Sequence, residues 1–229
     1  MAITKKLSEL EEHSTLSDNK THSYKYKGIG NYSPFIFMGD NIMGRIRDRG
    51  HDGGNVYRWK TLERFIKENN WTKGAELGVH DGVNFKHLIQ SCPNLTLVGV
   101  DLYEAQPENN GPEKWTPGEN GHQWNHNQYY KNMLDFCSKY PDRAIIIKDY
   151  TTNVSEKYMD ETFDFVFIDA DHGYEGCLRD IKAWEPKVRK GGYVIGHDVH
   201  FPTVKQAVTE YFGENSWKVE DDFIWWVQK

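Results

Sequence analysis

From residue 74 onward the chain alternates between two hydrophobic rhythms. Short, near-continuous apolar runs near 74–79, 95–102, 144–149, 163–170 and 191–198 predict strands buried on both faces. Between them, apolar residues recur at helical spacing near 83–92, 126–140, 174–190 and 203–212. In the third of these helices Cys177, Ile181, Trp184 and Val188 fall on one face, and Lys190-Gly191-Gly192 supplies a glycine stop. Upstream, Trp59, Leu62, Phe65 and Ile66 predict an amphipathic helix over 56–70. Downstream, residues 217–227 read as two strands with a tight turn at Asp221-Asp222. Alternating β and α elements followed by a hairpin predict an α/β fold, a doubly wound sheet closed by one antiparallel strand.

Three segments stand outside this rhythm. Residues 1–23 are polar and charged, as in a frayed tail or a short helix. Residues 24–55 are rich in Gly, Asn, Arg and Tyr around the apolar patch Pro34-Phe35-Ile36-Phe37-Met38, and read as an N-terminal cap. The chain thus divides into a tail and cap over 1–55 and one domain over 56–229. Residues 103–127 carry three Pro, three Gly and two Trp. A loop this long is functional or disordered, and its place after the second strand, at the ligand-bearing edge, favours a substrate lid.

Composition narrows the function. A formal net charge of −6 without a Lys/Arg cluster argues against nucleic acid as a partner. The three cysteines, Cys92, Cys137 and Cys177, lack metal spacing and read as buried or free thiols of a reducing compartment. With no long apolar run near the start, neither a signal peptide nor a membrane span is expected, and the default location is cytoplasmic. Aromatics make up 14% of the chain, eight of them tryptophan. They serve core packing or a stacking surface for a substrate, and Trp115, Trp124, Tyr129 and Tyr130 read as loop aromatics suited to the second use.

Candidate chemistry begins at the first strand. Gly74-Ala75-Glu76-Leu77-Gly78-Val79-His80-Asp81-Gly82 runs from a strand into a glycine turn, and 25 residues after Glu76 a second strand ends at Asp101. Glycines allow the close backbone approach a nucleoside ligand needs, and an acid ending the second strand is placed for the ribose hydroxyls. The spacing Glu-x-Gly-x-x-x-Gly departs from the dinucleotide fingerprint Gly-x-Gly-x-x-Gly. It resembles motif I and the following acidic position of class I S-adenosylmethionine-dependent methyltransferases. That resemblance implies a Rossmann-like, seven-stranded sheet with the last strand antiparallel. It also implies cofactor contacts from Glu76, Gly78, Gly82, Asn84 (which opens the next helix and could cap it), Asp101, Asp149 after the third strand, and Asp171.

A second constellation follows. The fourth strand ends in Asp169-Ala170-Asp171-His172-Gly173-Tyr174 and the fifth in Gly196-His197-Asp198. Neighbouring strands of such a sheet open into one crevice, so Asp169, Asp171, His172, His197 and Asp198 converge there. Like charges packed together call for compensation, and a divalent cation suits carboxylates with an imidazole. The segment resembles the divalent-metal-dependent small-molecule O-methyltransferases of the catechol, caffeoyl-coenzyme A and antibiotic-sugar types. The resemblance implies Asp169, His197 and Asp198 as metal ligands and His172 as catalytic base; the donor set suits Mg²⁺, Mn²⁺, Ca²⁺ or a borderline transition metal, with Mg²⁺ or Mn²⁺ expected. Here His172 stands where Lys is common and His-Asp where Asp-Asn is common. A metal-free acidic mouth around the sulfonium, with His172 or His197 as general base, stays open beside it, and His200 is a third candidate or an exposed loop residue.

The expected reaction is methyl transfer from S-adenosylmethionine to the hydroxyl of a small molecule, phenolic or sugar-containing. Neither nucleic acid nor membrane is an expected partner, and the first 55 residues are a candidate dimer contact. The rivals are a nicotinamide-dependent oxidoreductase, disfavoured by the missing fingerprint, and a non-catalytic cofactor-binding protein.

Overall fold

The computed structural model describes residues 58–104 and 125–229. The tail and cap, and most of the 103–127 segment with Trp115 and Trp124, lie outside the described residues. Helix α1 (Arg58–Asn69) opens the described chain and buries Thr61, Leu62, Phe65 and Ile66, the i, i+3, i+4 face its sequence predicts. Strand β1 (Lys73–Leu77), helix α2 (Val83–Ser91), strand β2 (Thr96–Asp101), helix α3 (His126–Cys137) and strand β3 (Ala144–Lys148) follow. Then come helix α4 (Thr151–Ser155), strand β4 (Phe163–Ile168), helix α5 (Tyr174–Trp184), strand β5 (Val188–Gly196), helix α6 (Pro202–Phe212) and strands β6 (Lys218–Val219) and β7 (Trp225–Gln228).

The seven strands form one sheet in the order β3-β2-β1-β4-β5-β7-β6. The first five are parallel, and β7 runs antiparallel to both β5 and β6. The order reverses direction beside β1, so the crevice at the carboxyl ends of β1 and β4 is where such a sheet takes a ligand. Alternate side chains feed two cores. Leu97, Phe165, Phe167 and Ile195 pack with α1, α2 and α3 on one face. Ala75, Leu77, Val98, Val166 and Val194 pack with α4, α5 and α6 on the other. Phe165 is fully buried, which contributes about 1.5–3 kcal/mol for a side chain of that kind.

Two elements differ from the sequence reading. The helix expected over 174–190 ends at Trp184, because Pro186 inside a helix would lose a hydrogen bond and clash with the preceding turn. Glu185–Lys187 form a single 3₁₀ turn. Val188 is therefore a strand residue, and Lys190-Gly191-Gly192 lies within β5 where its register with β4 shifts. Helix α4, five residues of TTNVS, was not anticipated, since it carries no apolar period. Tyr129 and Tyr130 belong to α3 rather than to a loop.

The expected hairpin is present. Asp221 O accepts from Ile224 N at 3.4 Å, and the two central residues, Asp222 and Phe223, have φ of 57° and 55°. Positive φ at both positions is the mark of a tight hairpin turn that usually selects Asn-Gly. Gly196 lets β7 close against β5, since a Cβ there would collide with the Trp225 indole. The three cysteines are buried and unpaired. Among the described residues no helix is long and apolar enough to cross a membrane.

Candidate active site

Strand β1 leads into the glycine turn, and the backbone there permits little else. Gly78 and Gly82 have φ of 83° and 78°. A Cβ on Gly78 would strike the Asp169 carbonyl, and one on Gly82 would strike Met133 of α3. The turn is held to the neighbouring strands by Gly78 N donating to Val100 O at 2.9 Å and Asp169 N donating to Leu77 O at 2.9 Å. Asp101, at the end of β2, accepts from His80 N at 2.8 Å on one oxygen and from Tyr103 N at 2.7 Å on the other. Its carboxylate is thereby aimed across the turn, with a lone pair remaining on each oxygen.

Beneath the turn, Glu76 is 2% exposed. Burial pushes its carboxyl up to about 8, against the Asn84 amide and Arg58, which favour the charged form. Among the described residues, Glu76 Oε2 and the Tyr103 hydroxyl are buried without a hydrogen-bond partner. Orphaned buried polar atoms are costly unless a ligand completes them.

The carboxyl ends of β4 and β5 supply the second half. Asp169 Oδ2 pairs with Arg58 Nη1, while Asp169 Oδ1 stands 3.8 Å from His172 Nε2 and 3.6 Å from His197 Nδ1. Asp198 reaches His172 Nε2 at 2.9 Å through Oδ2 and His197 Nδ1 at 3.0 Å through Oδ1. Asp222 Oδ2, from the hairpin turn, lies 3.5 Å from His197 Nε2 and 3.9 Å from Arg58 Nε. Three carboxylates thus meet Arg58, His172 and His197, with His200 Nδ1 3.6 Å from Asp198 Oδ1. Burial opposes the charged imidazoles, yet Asp169 and Asp198 raise His172 to about 10, and Asp169, Asp198 and Asp222 raise His197 to about 9. Burial likewise opposes the Asp198 carboxylate, but the two histidines hold it far below the usual carboxylate range. Asp169, His172 and Asp198 each offer one ligand atom, all within 4.8 Å of one another.

The comparisons with known proteins fall on this same region. The sequence matches the family described as "Methyltransferase domain" over residues 75–199, more than half of the 229 residues. The chain belongs to the methyltransferase-domain family. Similar solved structures include a candidate caffeoyl-CoA O-methyltransferase from Staphylococcus aureus, at TM-score 0.52 and 13% identity over 99% of this chain and 98% of that one. An O-methyltransferase from Bacillus cereus in complex with SAH gives 0.51 and 14% over 80% and 86%. A SAH-bound methyltransferase from Podospora anserina gives 0.51 and 12% over 83% and 88%. At such identities these likenesses establish a shared fold. No curated protein matches the sequence.

The expected methyltransferase is therefore what the chain is, its seven-stranded sheet is the one that resemblance implied, and the rival oxidoreductase reading falls away. The residues of this methyltransferase domain suit S-adenosylmethionine: a buried carboxyl with an orphaned oxygen beneath a glycine turn, and an oriented acid at the end of β2. A divalent cation also suits the donor set Asp169, His172 and Asp198.

Not every expected residue lies where the sequence reading put it. Asn84 is the second residue of α2 rather than its cap, a place taken by Gly82, and it faces Glu76 instead. Asp149 turns to α4, accepting from Tyr150 N at 2.8 Å and Asn153 Nδ2 at 2.9 Å and pairing with Lys157 at 3.1 Å. Asp171 accepts from Gly173 N at 2.8 Å and packs against Gly176 in the first turn of α5. His197 adjoins that three-residue group, its Nδ1 3.6 Å from Asp169 Oδ1 and 3.0 Å from Asp198 Oδ1 and its Nε2 3.5 Å from Asp222 Oδ2. His200 lies 3.6 Å from Asp198, its ring between Phe201 and Phe223 at 4.2 and 4.1 Å.

Two members of the site were not expected at all. Nothing in the sequence around Arg58 distinguishes it from a surface residue opening α1. Asp222 had a usable signal: an antiparallel last strand pairing Trp225 with Gly196 must bring the residues before Trp225 to the edge where β5 ends.

Proposed function

We propose that this methyltransferase O-methylates a hydroxyl on a small molecule, phenolic or sugar-containing, with a divalent cation, Mg²⁺ or Mn²⁺, held by Asp169, His172 and Asp198. The observation that carries the reading is the convergence of those three ligand atoms at the edge that also holds the glycine turn. The fold shared with a caffeoyl-CoA-type candidate and with an O-methyltransferase supports it, and the net charge of −6 supports a small acceptor over nucleic acid.

When bound, S-adenosylmethionine would supply an activated methyl group and the cation would lower the pKa of the acceptor hydroxyl. In this reading Glu76 accepts from the cofactor's ammonium group, with Asn84 beside it, and Asp101 accepts from the ribose hydroxyls. Gly78 and Gly82 shape the turn that admits the cofactor. Asp149 and Asp171 act one step away, by holding the first turns of α4 and α5. The acceptor oxygen must be aligned with the S–methyl bond, so orientation is a large part of the rate.

The metal-free alternative has a specific observation in its favour: Asp169, Asp198 and Asp222 already stand beside basic groups, Arg58, His172 and His197, with His200 3.6 Å from Asp198. His172 is its base, since its side chain is 28% exposed while that of His197 is 5% exposed. The carboxylates that raise His172 bear on both readings alike, because its proton must leave before the ring can act as a base or offer a lone pair to a cation.

The test is calorimetric titration with S-adenosylhomocysteine, followed by Mn²⁺ titration of the EDTA-treated protein and of Asp169→Ala. Cofactor binding with a Mn²⁺ isotherm lost in the variant supports the proposal. Cofactor binding without any Mn²⁺ isotherm leaves the metal-free reading, and no cofactor binding overturns both.

A further inference from the structure

We propose that Asp222 is a positioning residue of the carboxylate site: it ties Arg58 to His197 and so fixes which oxygens of Asp169 and Asp198 face His172. The inference rests on the cation site proposed above for its functional consequence, though not for its geometry.

Each of the two carboxylates has an inner and an outer side. Asp169 turns Oδ1 toward His172 and gives Oδ2 to Arg58. Asp198 turns Oδ2 toward His172 and gives Oδ1 to His197. An aspartate carboxylate rotates about a broad, roughly two-fold torsion, so by itself it presents either oxygen with little preference. The outer groups remove that freedom. Both of them face a single atom, Asp222 Oδ2, which stands 3.5 Å from His197 Nε2 and 3.9 Å from Arg58 Nε, at ion-pair rather than hydrogen-bond range. Arg58 brings a rigid, permanently charged fork with donors to spare for both acids.

The placement of Asp222 is itself held against a cost. Phe223, a bulky residue, adopts φ of 55° in the same turn, a backbone conformation such side chains rarely take. Phe223 O accepts from Val199 N at 3.2 Å, which fastens the turn to the residue following Asp198. Asp222 is thus referenced directly to one of the two carboxylates it orients. The groups that orient ligands set affinity almost as strongly as the ligands do, by about 10–100-fold on removal.

Asp222→Asn removes the charge and keeps both the size and the tolerance of positive φ. The full chain, isotopically labelled and EDTA-treated, is compared with wild type by the carboxyl-carbon resonances of Asp169 and Asp198 and the ring-nitrogen resonances of His197. Mn²⁺ affinity is read by electron paramagnetic resonance, and S-adenosylhomocysteine affinity by calorimetry. The expected result is displaced Asp169 and Asp198 resonances and Mn²⁺ binding weakened at least about tenfold, with cofactor affinity retained. Superimposable Asp169 and Asp198 resonances would overturn the inference, whatever Mn²⁺ does. Displaced resonances in a protein whose wild type binds no Mn²⁺ would support the tie and overturn the cation site instead. Should Asp222→Asn fail to fold, Arg58→Met decides: the tie requires the His197 ring signals to move, and unmoved His197 signals overturn it.

Discussion

Gly78 and Asp169 are in backbone contact: a Cβ on the glycine would occupy the space of the Asp169 carbonyl. The turn proposed for the cofactor and the strand end proposed for the cation are therefore one rigid piece. Replacing Gly78 by Ala meets both this collision and a φ of 83°. The expected outcome is a destabilisation of about 2 kcal/mol or more in denaturant unfolding, with loss of S-adenosylhomocysteine binding and of Mn²⁺ binding together. Cofactor loss alone, with the cation site intact, would contradict the coupling.

With Glu76 receiving the cofactor's ammonium group as proposed, cofactor binding is expected to depend on pH. Its carboxyl is raised from 4.5 to about 8, so the folded protein holds this proton more tightly than the unfolded chain. Stability from this group is present at low pH and declines as pH rises between about 4.5 and 8. An ammonium group arriving beside Glu76 favours its ionised form, so S-adenosylhomocysteine binding near pH 7 releases a proton. Calorimetry in buffers of different ionisation enthalpy measures that release. In Glu76→Gln the release should vanish and cofactor affinity should fall about tenfold or more, as for a lost charged hydrogen bond of about 1.5–3 kcal/mol.

Asp180 gives a second, independent pH window. It is 1% exposed on α5 and accepts from Thr151 Oγ1 at 2.5 Å, and burial raises it from 3.8 to about 6. The folded state again holds the proton more tightly, so stability falls as pH rises through about 4 to 6 and stays lower above. Asp180→Asn keeps an acceptor for Thr151 and cannot ionise. It should leave stability near pH 4 unchanged and raise it at pH 7 by up to about 3 kcal/mol, read from urea unfolding at the two pH values.

Asp101 has two tasks that a pair of variants separates. Both its oxygens already hold backbone amides, of His80 and Tyr103. Asp101→Ala should lower both thermal stability and cofactor affinity, whereas Asp101→Asn should lose affinity by about tenfold or more with a smaller loss of melting temperature. Equal S-adenosylhomocysteine affinity in wild type and both variants would remove Asp101 from the ribose assignment.

What was legible in the sequence was whatever a local pattern carries. The central strands announce themselves because both faces are buried, and α1 because its apolar residues repeat at one helical face. For the helix after β4 the apolar period runs on to Val188, while Pro186 ends the helix sooner. The five-residue α4 has no period to read. For the site, the acids and histidines that end adjacent strands were predictable as a cluster, because the topology fixes where those ends lie. Arg58 was not, since it meets Asp169 across 111 residues of chain and only through the packing of α1. Asp222 was read as turn chemistry, which is what an acid in a hairpin usually is.

The last strand serves both faces of the sheet. β7 enters between β5 and β6, Trp225 lies across Gly196 and is fully buried in one core, and Trp226 packs into the other. The segment that carries Asp222 to the carboxylates is therefore continuous with the one that seals two cores, so loosening that strand would register in stability and in the site together.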